Sequence, residues 1–478
     1  MIHRELLING VFIGGPCDQS VSKQVVRSPW DGTVIGTAAE ASGAEAFAAI
    51  ACAQQTFPVW RETPIAERQA LMHRVSEAIG ERRQELAELL CLEVGKPIRW
   101  AEGEVERARI TFLLSATTQL DSSPLDLSAD PRGAQYDGSI RNEPRGVVLA
   151  IAPYNWPLNL AAHKLGPALV TGNTVVLKGS NLASLSTLTL ARIIHEAGCP
   201  PGVLNAVQTM DRDAQRMTDA DAVQVISFTG SERVGWSIRE RHPDKHVLLE
   251  LGGNAAAIIA ADAALDRVVE TLVPSAFGFA GQVCISAQHV FAHRSVYDEV
   301  VDRLTEAARQ VQVGDPRSTQ TLLGPMISGE AAAKALAMVT SSGGEVLAGG
   351  RADGNRMEAT LVVLPDFAAA QAAQAALATQ EVFAPVLTAS PFDDLEDALG
   401  WINRGHAAIH ASLYTQDETL IRLAESVLEV SGLIVNDAPT VRFDSMPYGG
   451  ERRAGIGREG VAYAMREFTT PRVTLRRK

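Results

Sequence analysis

From residue 146 to residue 250 the chain alternates short apolar runs with stretches of helical period. The runs at 147–151, 174–177, 203–207, 222–226 and 247–249 read as strands, and the unbroken apolar ones as strands buried on both faces. The segment 185–197 between two of them has the spacing of an amphipathic helix. Such alternation predicts an open α/β sheet, the architecture that binds nucleotides at the carboxyl ends of its strands. Upstream, residues 1 to about 40 read as short strands with turns, and a helix is expected from near Ala41. A second helix is expected with Thr63 as its N-cap and Pro64 at its first position, carrying Leu71, Val75 and Ile79 on one face. A third covers 83–94 and stops at Gly95-Lys96-Pro97; a fourth covers 102–114. Downstream, helices are expected over 265–279, 296–311 and the Ala- and Gln-rich 366–379, with strands at 290–292, 386–388 and 433–435.

Two stretches break this rhythm. Residues 120–146 are rich in Asp, Pro, Gly and Ser, with an exposed strand pattern at 139–142, and read as a linker or as strands that pair subunits. The tail 469–478 alternates Val473 and Leu475 with basic residues, as a last strand would.

Composition narrows the class. A chain of 478 residues exceeds one hydrophobic core, so two or three domains are expected. Net charge is −13 and the isoelectric point about 5.3, which disfavours nucleic acid and anionic membrane as partners. No apolar run approaches the roughly 20 residues of a membrane span. The five cysteines (17, 52, 91, 199 and 284) form no Cys-x-x-Cys pair and no Cys/His cluster. That predicts a reducing compartment, cytoplasm by default, and no metal site.

One thiol stands out by its company. Cys284 sits in Gly278-Phe279-Ala280-Gly281-Gln282-Val283-Cys284-Ile285, among small and apolar residues. A lone cysteine is more often a buried packing residue than a nucleophile. Glu250, before the paired Gly252-Gly253, and Asn155, in Ala152-Pro153-Tyr154-Asn155-Trp156-Pro157, supply a carboxylate and an amide for acyl chemistry. The literal GxGxxG at 455–460 has no βαβ unit after it and is rejected as a dinucleotide fingerprint. The turns at 177–181 and 228–235 are better placed for a pyrophosphate, and each also reads as an ordinary turn.

Taken in order, the blocks at 152–157, 228–235, 249–253, 281–284, 381–385 and 447–460 resemble the NAD(P)-dependent aldehyde dehydrogenase superfamily along essentially the whole chain. The resemblance implies a Rossmann-type cofactor domain at 1–121 and 146–252, an α/β catalytic domain at 253–448, and β oligomerisation strands at 122–145 and 466–478. It implies Cys284 as nucleophile, Asn155 as oxyanion donor and Glu250 as general base. NAD or NADP would be held by Ile151, Ala152 and Pro153, by Lys178, Ser180 and Asn181, and by Gly230, Ser231 and Val234. Leu251, Glu381 and Phe383 complete that set, and Lys164 and Glu459 match a proton relay. The substrate would be a small aldehyde, with a homodimer or homotetramer expected.

The substrate side is read more thinly. Stretches around 157–164, 435–437 and 446–450 are similar to a branch acting on lactaldehyde and semialdehydes. Arg107, Tyr154, His163 and Ile285 are substrate candidates, as are Arg109 and Arg442; an Arg there reads equally as an ion-pair member. Val283 takes the place of an Arg found in some relatives, which weighs against a phosphate or phosphonate substrate. Asn181 stands where NAD-preferring relatives carry Glu, so NADP should be tolerated. A CoA-acylating dehydrogenase is the nearest alternative, opposed by Glu250; a cofactor-independent Cys esterase or thioesterase is opposed by Lys178, Ser231 and Glu381.

Overall fold

A computed structural model describes residues 1–120, 124–405 and 407–478. The expected boundary between residues 121 and 122 falls outside the described residues.

The apolar runs of the middle of the chain build an eight-stranded sheet. Its order is Gly455–Ile456, His246–Glu250, Val223–Thr229, Val147–Ile151, Thr174–Lys178, Leu204–Val207, Leu6–Ile8 and Val11–Ile13. The five strands from His246–Glu250 to Leu204–Val207 are parallel. Burial on both faces explains their unbroken apolar character. Val148 and Ala150 join a core with Leu71, Val75 and Phe112, whereas Val147 and Leu149 join another with Ala46, Ala49 and Ile50. The chain first adds strands on one side of Val147–Ile151 and then on the other. The sheet therefore has its switch point between the carboxyl ends of Val147–Ile151 and Val223–Thr229, where such sheets bind ligands.

A seven-stranded sheet forms the second core, in the order Glu345–Ala348, Thr360–Val363, Val386–Phe392, Ala287–His293, Ala255–Ile259, His410–Tyr414 and Gly432–Val435. Its first strand is antiparallel to its neighbour and the rest run parallel. The tail strand, Thr469–Arg477, pairs antiparallel with Tyr136–Pro144 along its full length. This two-stranded ribbon leaves Val473 and Leu475 half exposed.

Several expected elements shift. Thr63 does not cap the second helix: that helix is Ile65–Glu81, Pro64 holds the N-cap in an extended conformation, and the Thr63 hydroxyl donates back to Val59 O at 3.3 Å. The helix expected over 265–279 ends at Phe277, because Phe279 and Ala280 take left-handed φ of 49° and 55°. Both residues are apolar, so periodicity alone does not mark the break. Region 366–379 divides into Phe367–Ala372 and Ala376–Thr379, with Gln374 at φ 55° between them. The strand Ala255–Ile259 escapes a β-propensity reading because it opens with three alanines. The helix Asp211–Asp219 is mostly polar and lacks a broad apolar stripe.

The 455–460 GxGxxG is structural. Its first residues form the edge strand that pairs Gly455 with Glu250. A Cβ on Gly455 would stand 2.3 Å from Leu249 O, so only glycine lets the strands meet.

Candidate active site

The loop before Cys284 is shaped by close approach. A Cβ on Gly278 would fall 2.1 Å from the Trp100 ring, and one on Gly281 (φ +64°) would fall 2.2 Å from Ala384 O. Gln282, fully buried, anchors the backbone that leads into Cys284. Its backbone oxygen accepts from Asn155 Nδ2 at 2.9 Å, and its side-chain oxygen accepts from the Tyr154 hydroxyl at 3.2 Å and Ile327 N at 2.9 Å. An Asn amide carries two N–H donors, so the bond to Gln282 leaves one for a ligand oxygen. Cys284 is half-buried, with Sγ 2.8 Å from the Tyr448 hydroxyl. Burial pushes the thiol up to about 11, and the Tyr448 hydrogen bond works against that rise.

Glu250 ends its strand as a buried carboxyl. Burial, and then the charge of Glu459, raise it well above the usual carboxylate range; Arg442 and Lys164 oppose the rise. Its Oε2 has no hydrogen-bond partner among the described residues. Glu459 is also buried but differently provided for. Lys164 Nζ lies 3.4 Å from Oε1, and Arg442 Nη2 donates to Oε2 at 2.8 Å. Burial lifts Glu459, yet Lys164 and Arg442 outweigh it and hold the carboxyl at about 2. Two neighbouring carboxyls are thus driven apart, one ionised and one easily protonated, a pattern that assigns acid and base roles.

Cys284, Glu250 and Asn155 open on one cleft of about 780 Å³ at the sheet's switch point. Ile151, Ala152, Pro153, Tyr154, Lys178 and Ser180 line it. So do Gly230, Ser231, Val234, Leu251, Glu381 and Phe383. Asn181, Lys164, Glu459, Arg107, His163 and Ile285 stand outside that lining.

Residues 17–474 match the model of the aldehyde dehydrogenase family. The chain belongs to the aldehyde dehydrogenase family. It is an NAD(P)-dependent oxidoreductase acting on an aldehyde. A 3-sulfolactaldehyde dehydrogenase of Priestia aryabhattai is 35% identical over 413 residues, 85% of each protein. Among solved structures, aldehyde dehydrogenase 21 from Physcomitrella patens, in complex with the reaction product succinate, superposes with a TM-score of 0.94 at 31% identity, covering 99% of this chain and 98% of that one. The glyceraldehyde-3-phosphate dehydrogenase GapN from Methanocaldococcus jannaschii, complexed with NADP, gives 0.91 at 32% identity, covering 96% of this chain and 100% of that one.

The aldehyde dehydrogenase cleft fits a dinucleotide on its own chemistry. The helix Glu232–Arg241 starts at Ser231, whose side chain makes no capping bond, so first-turn N–H groups stay open to an anion. Lys178 is a buried cation whose Nζ lies 3.6 Å from Asp211. Glu381 accepts from Gly253 N at 3.3 Å, and burial pushes it up to about 8. A Cβ on Gly252 would lie 2.1 Å from its Oε2. Phe383 adopts φ 54°, unusual for a bulky residue, and its ring meets Tyr154 edge-on at 6.3 Å. Sequence reasoning missed Asp211, Arg212 and Lys334, which share this lining.

Two substrate candidates of this dehydrogenase, Arg107 and His163, are spoken for by one carboxylate. Asp444 accepts from Arg107 Nη2 at 2.7 Å, pairs with His163 Nε2 at 2.8 Å and accepts from Asn159 Nδ2 at 3.3 Å. Arg109 pairs with Glu106 one turn away on its own helix, at 2.7 Å. Ile285 is buried. Arg442 lies with its guanidinium carbon 3.6 Å from the centroid of the Tyr448 ring. Asp444 and Tyr448 escape a sequence reading because their partners are distant along the chain; the Pro447-Tyr448-Gly449-Gly450 block is the available signal.

Proposed function

We propose that this enzyme oxidises a small aldehyde bearing a hydroxyl or an anionic group to the free carboxylic acid, with Cys284 as nucleophile. One observation carries the reading: Cys284 and Glu250 open on the same cleft as Lys178, Ser231 and Glu381. Sγ of the Cys284 thiolate bonds to the aldehyde carbon and the carbonyl electron pair moves to oxygen. The alkoxide takes hydrogen bonds from Asn155 and the Cys284 backbone N–H; one such donor is worth about 3 kcal/mol. Lys178, Ser231 and Glu381 would hold NAD(P), which would take the hydride that the alkoxide expels as its C–O double bond re-forms. The thioester left on Cys284 is opened by water. Glu250 takes the water proton, the C–S bond breaks, and the acid leaves with the thiolate restored.

The substrate class is supported by relatives named for 3-sulfolactaldehyde and seen with succinate. Val283 beside the nucleophile weighs against a phosphate. NADP is accepted here, since no Glu stands at Asn181, whose amide oxygen instead takes a bond from Gln208 Nε2. Arg212 adds a cation to the cleft and Asp211 an opposing charge. Arg212→Ala should then raise KM for NADP more than for NAD, and equal effects would refute that role. Assembly as a homodimer or homotetramer through the ribbon is supported by its half-exposed Val473 and Leu475. A reducing, cytoplasmic setting is supported by five free cysteines. Division into a cofactor domain at 1–121 and 146–252 and a catalytic domain at 253–448 is supported by the presence of two large sheets, the first of which also takes in Gly455–Ile456.

The test is NAD(P)H formation from a panel of hydroxy-, sulfo- and carboxy-aldehydes, with and without CoA. Reduction without CoA that vanishes in Cys284→Ala is expected. Ester cleavage alone, with no reduction by any aldehyde, overturns the reading.

A further inference from the structure

We infer that Tyr448 is a catalytic residue of this enzyme: its hydroxyl donates a hydrogen bond to the Cys284 thiolate and holds the nucleophile ionised. The inference rests on Cys284 being the nucleophile.

The contact is direct, 2.8 Å from Sγ to the phenol oxygen. A half-buried thiol near the carboxyls of Glu381 and Glu250 is badly placed to ionise; burial is the largest influence raising it, and the Arg442 charge only partly opposes the rise. No histidine or lysine makes a hydrogen bond to Sγ among the described residues. The phenol is itself buried and driven well above its usual range, first by burial, so it remains protonated and acts as donor rather than base. It cannot take the thiol proton, which must leave through the open cleft.

The surroundings hold the phenol in this role. The Arg442 guanidinium lies over the ring face at 3.6 Å, drawing electron density from it and sharpening the O–H as a donor. Glu459 holds Arg442 by a hydrogen bond of 2.8 Å. His410 packs edge-on against the ring at 5.4 Å. The backbones of Tyr448 and Glu459 exchange both hydrogen bonds, at 3.1 and 2.7 Å. The phenol therefore has little freedom to turn away.

The test is the pH dependence of Cys284 alkylation by iodoacetamide, read by mass on the Cys284 peptide, which needs neither aldehyde nor cofactor. Tyr448→Phe removes only the hydroxyl. A hydrogen bond to a charged group of ordinary strength corresponds to about one to two pH units. The alkylation midpoint of Tyr448→Phe should move up by that amount, with alkylation near neutral pH slowed about 10- to 100-fold. Site-specific 3-fluorotyrosine at position 448, a stronger donor of nearly the same shape, should move the midpoint down. Unchanged midpoints in both proteins overturn the inference. Aldehyde oxidation surviving in Cys284→Ala would instead overturn the reading beneath it.

Discussion

Glu250 and Glu459 occupy one buried region, yet among the described residues only Glu459 has cations in bonding range. A base of raised pKa is matched to taking a proton from water near neutral pH. Because Glu250 works when ionised, thioester hydrolysis should quicken as pH rises through its elevated value. Glu250→Gln should form one equivalent of NAD(P)H per site and then turn over about 10²- to 10⁴-fold more slowly. Rapid-mixing kinetics would register that burst, and a normal steady state would discard Glu250 as base. At this scale the sequence is legible wherever a residue meets the cleft from its own strand end, as Lys178, Ser231 and Glu250 do. It is opaque where a side chain is answered from far along the chain. For Arg107 and His163 the sequence offers a substrate contact or a structural role without a partner, and Asp444 takes both.

Strands and helices are legible through apolar period, and the two central features of the site lie where period fails. The turn that ends the helix Leu265–Phe277 is made of apolar residues in left-handed conformation, invisible to any hydrophobic count. The edge strand Gly455–Ile456 is too short to carry a pattern, and its glycine spacing disguises it as a motif. That strand braces the base through the Gly455–Glu250 pairing. Gly455→Ala should force it off the sheet, since a methyl would sit 2.3 Å from Leu249 O. We expect a lowered melting temperature and a slowed hydrolytic half-reaction, with Cys284 alkylation preserved. Equal loss of both half-reactions would locate the damage elsewhere.

Over the molecule as a whole, buried ionisable groups set how stability follows pH. His289 is buried between the rings of Phe291 and Phe367, Nδ1 bonded to Thr388 Oγ1 at 2.6 Å and Nε2 without a partner among the described residues. Burial lowers it from 6.5 to about 3. Between those values the unfolded chain binds the extra proton, so this group makes stability rise with pH and fall on acidification through that window. Glu93 and Glu381, raised by burial to about 7 and about 8, act oppositely above the ordinary Glu value of 4.5. Subtraction isolates the histidine. His289→Gln should lose less melting temperature between pH 7 and pH 5 than the parent protein, and parallel curves would refute the assignment.

The pairing of Cys284 with Tyr448, and of Glu250 with Gly455 and Glu459, bears on how the protein is born. A ribosome delivers the thiol and the base long before it delivers their partners. For much of its synthesis the chain carries a cysteine with no phenol beside it and a glutamate with no edge strand to brace it. Translation halted before Tyr448 yields a fragment whose thiol lacks the phenol and whose base lacks its edge strand. Full reactivity toward aldehydes thus waits for Tyr448, Gly455 and Glu459, which follow the thiol and the base along the chain.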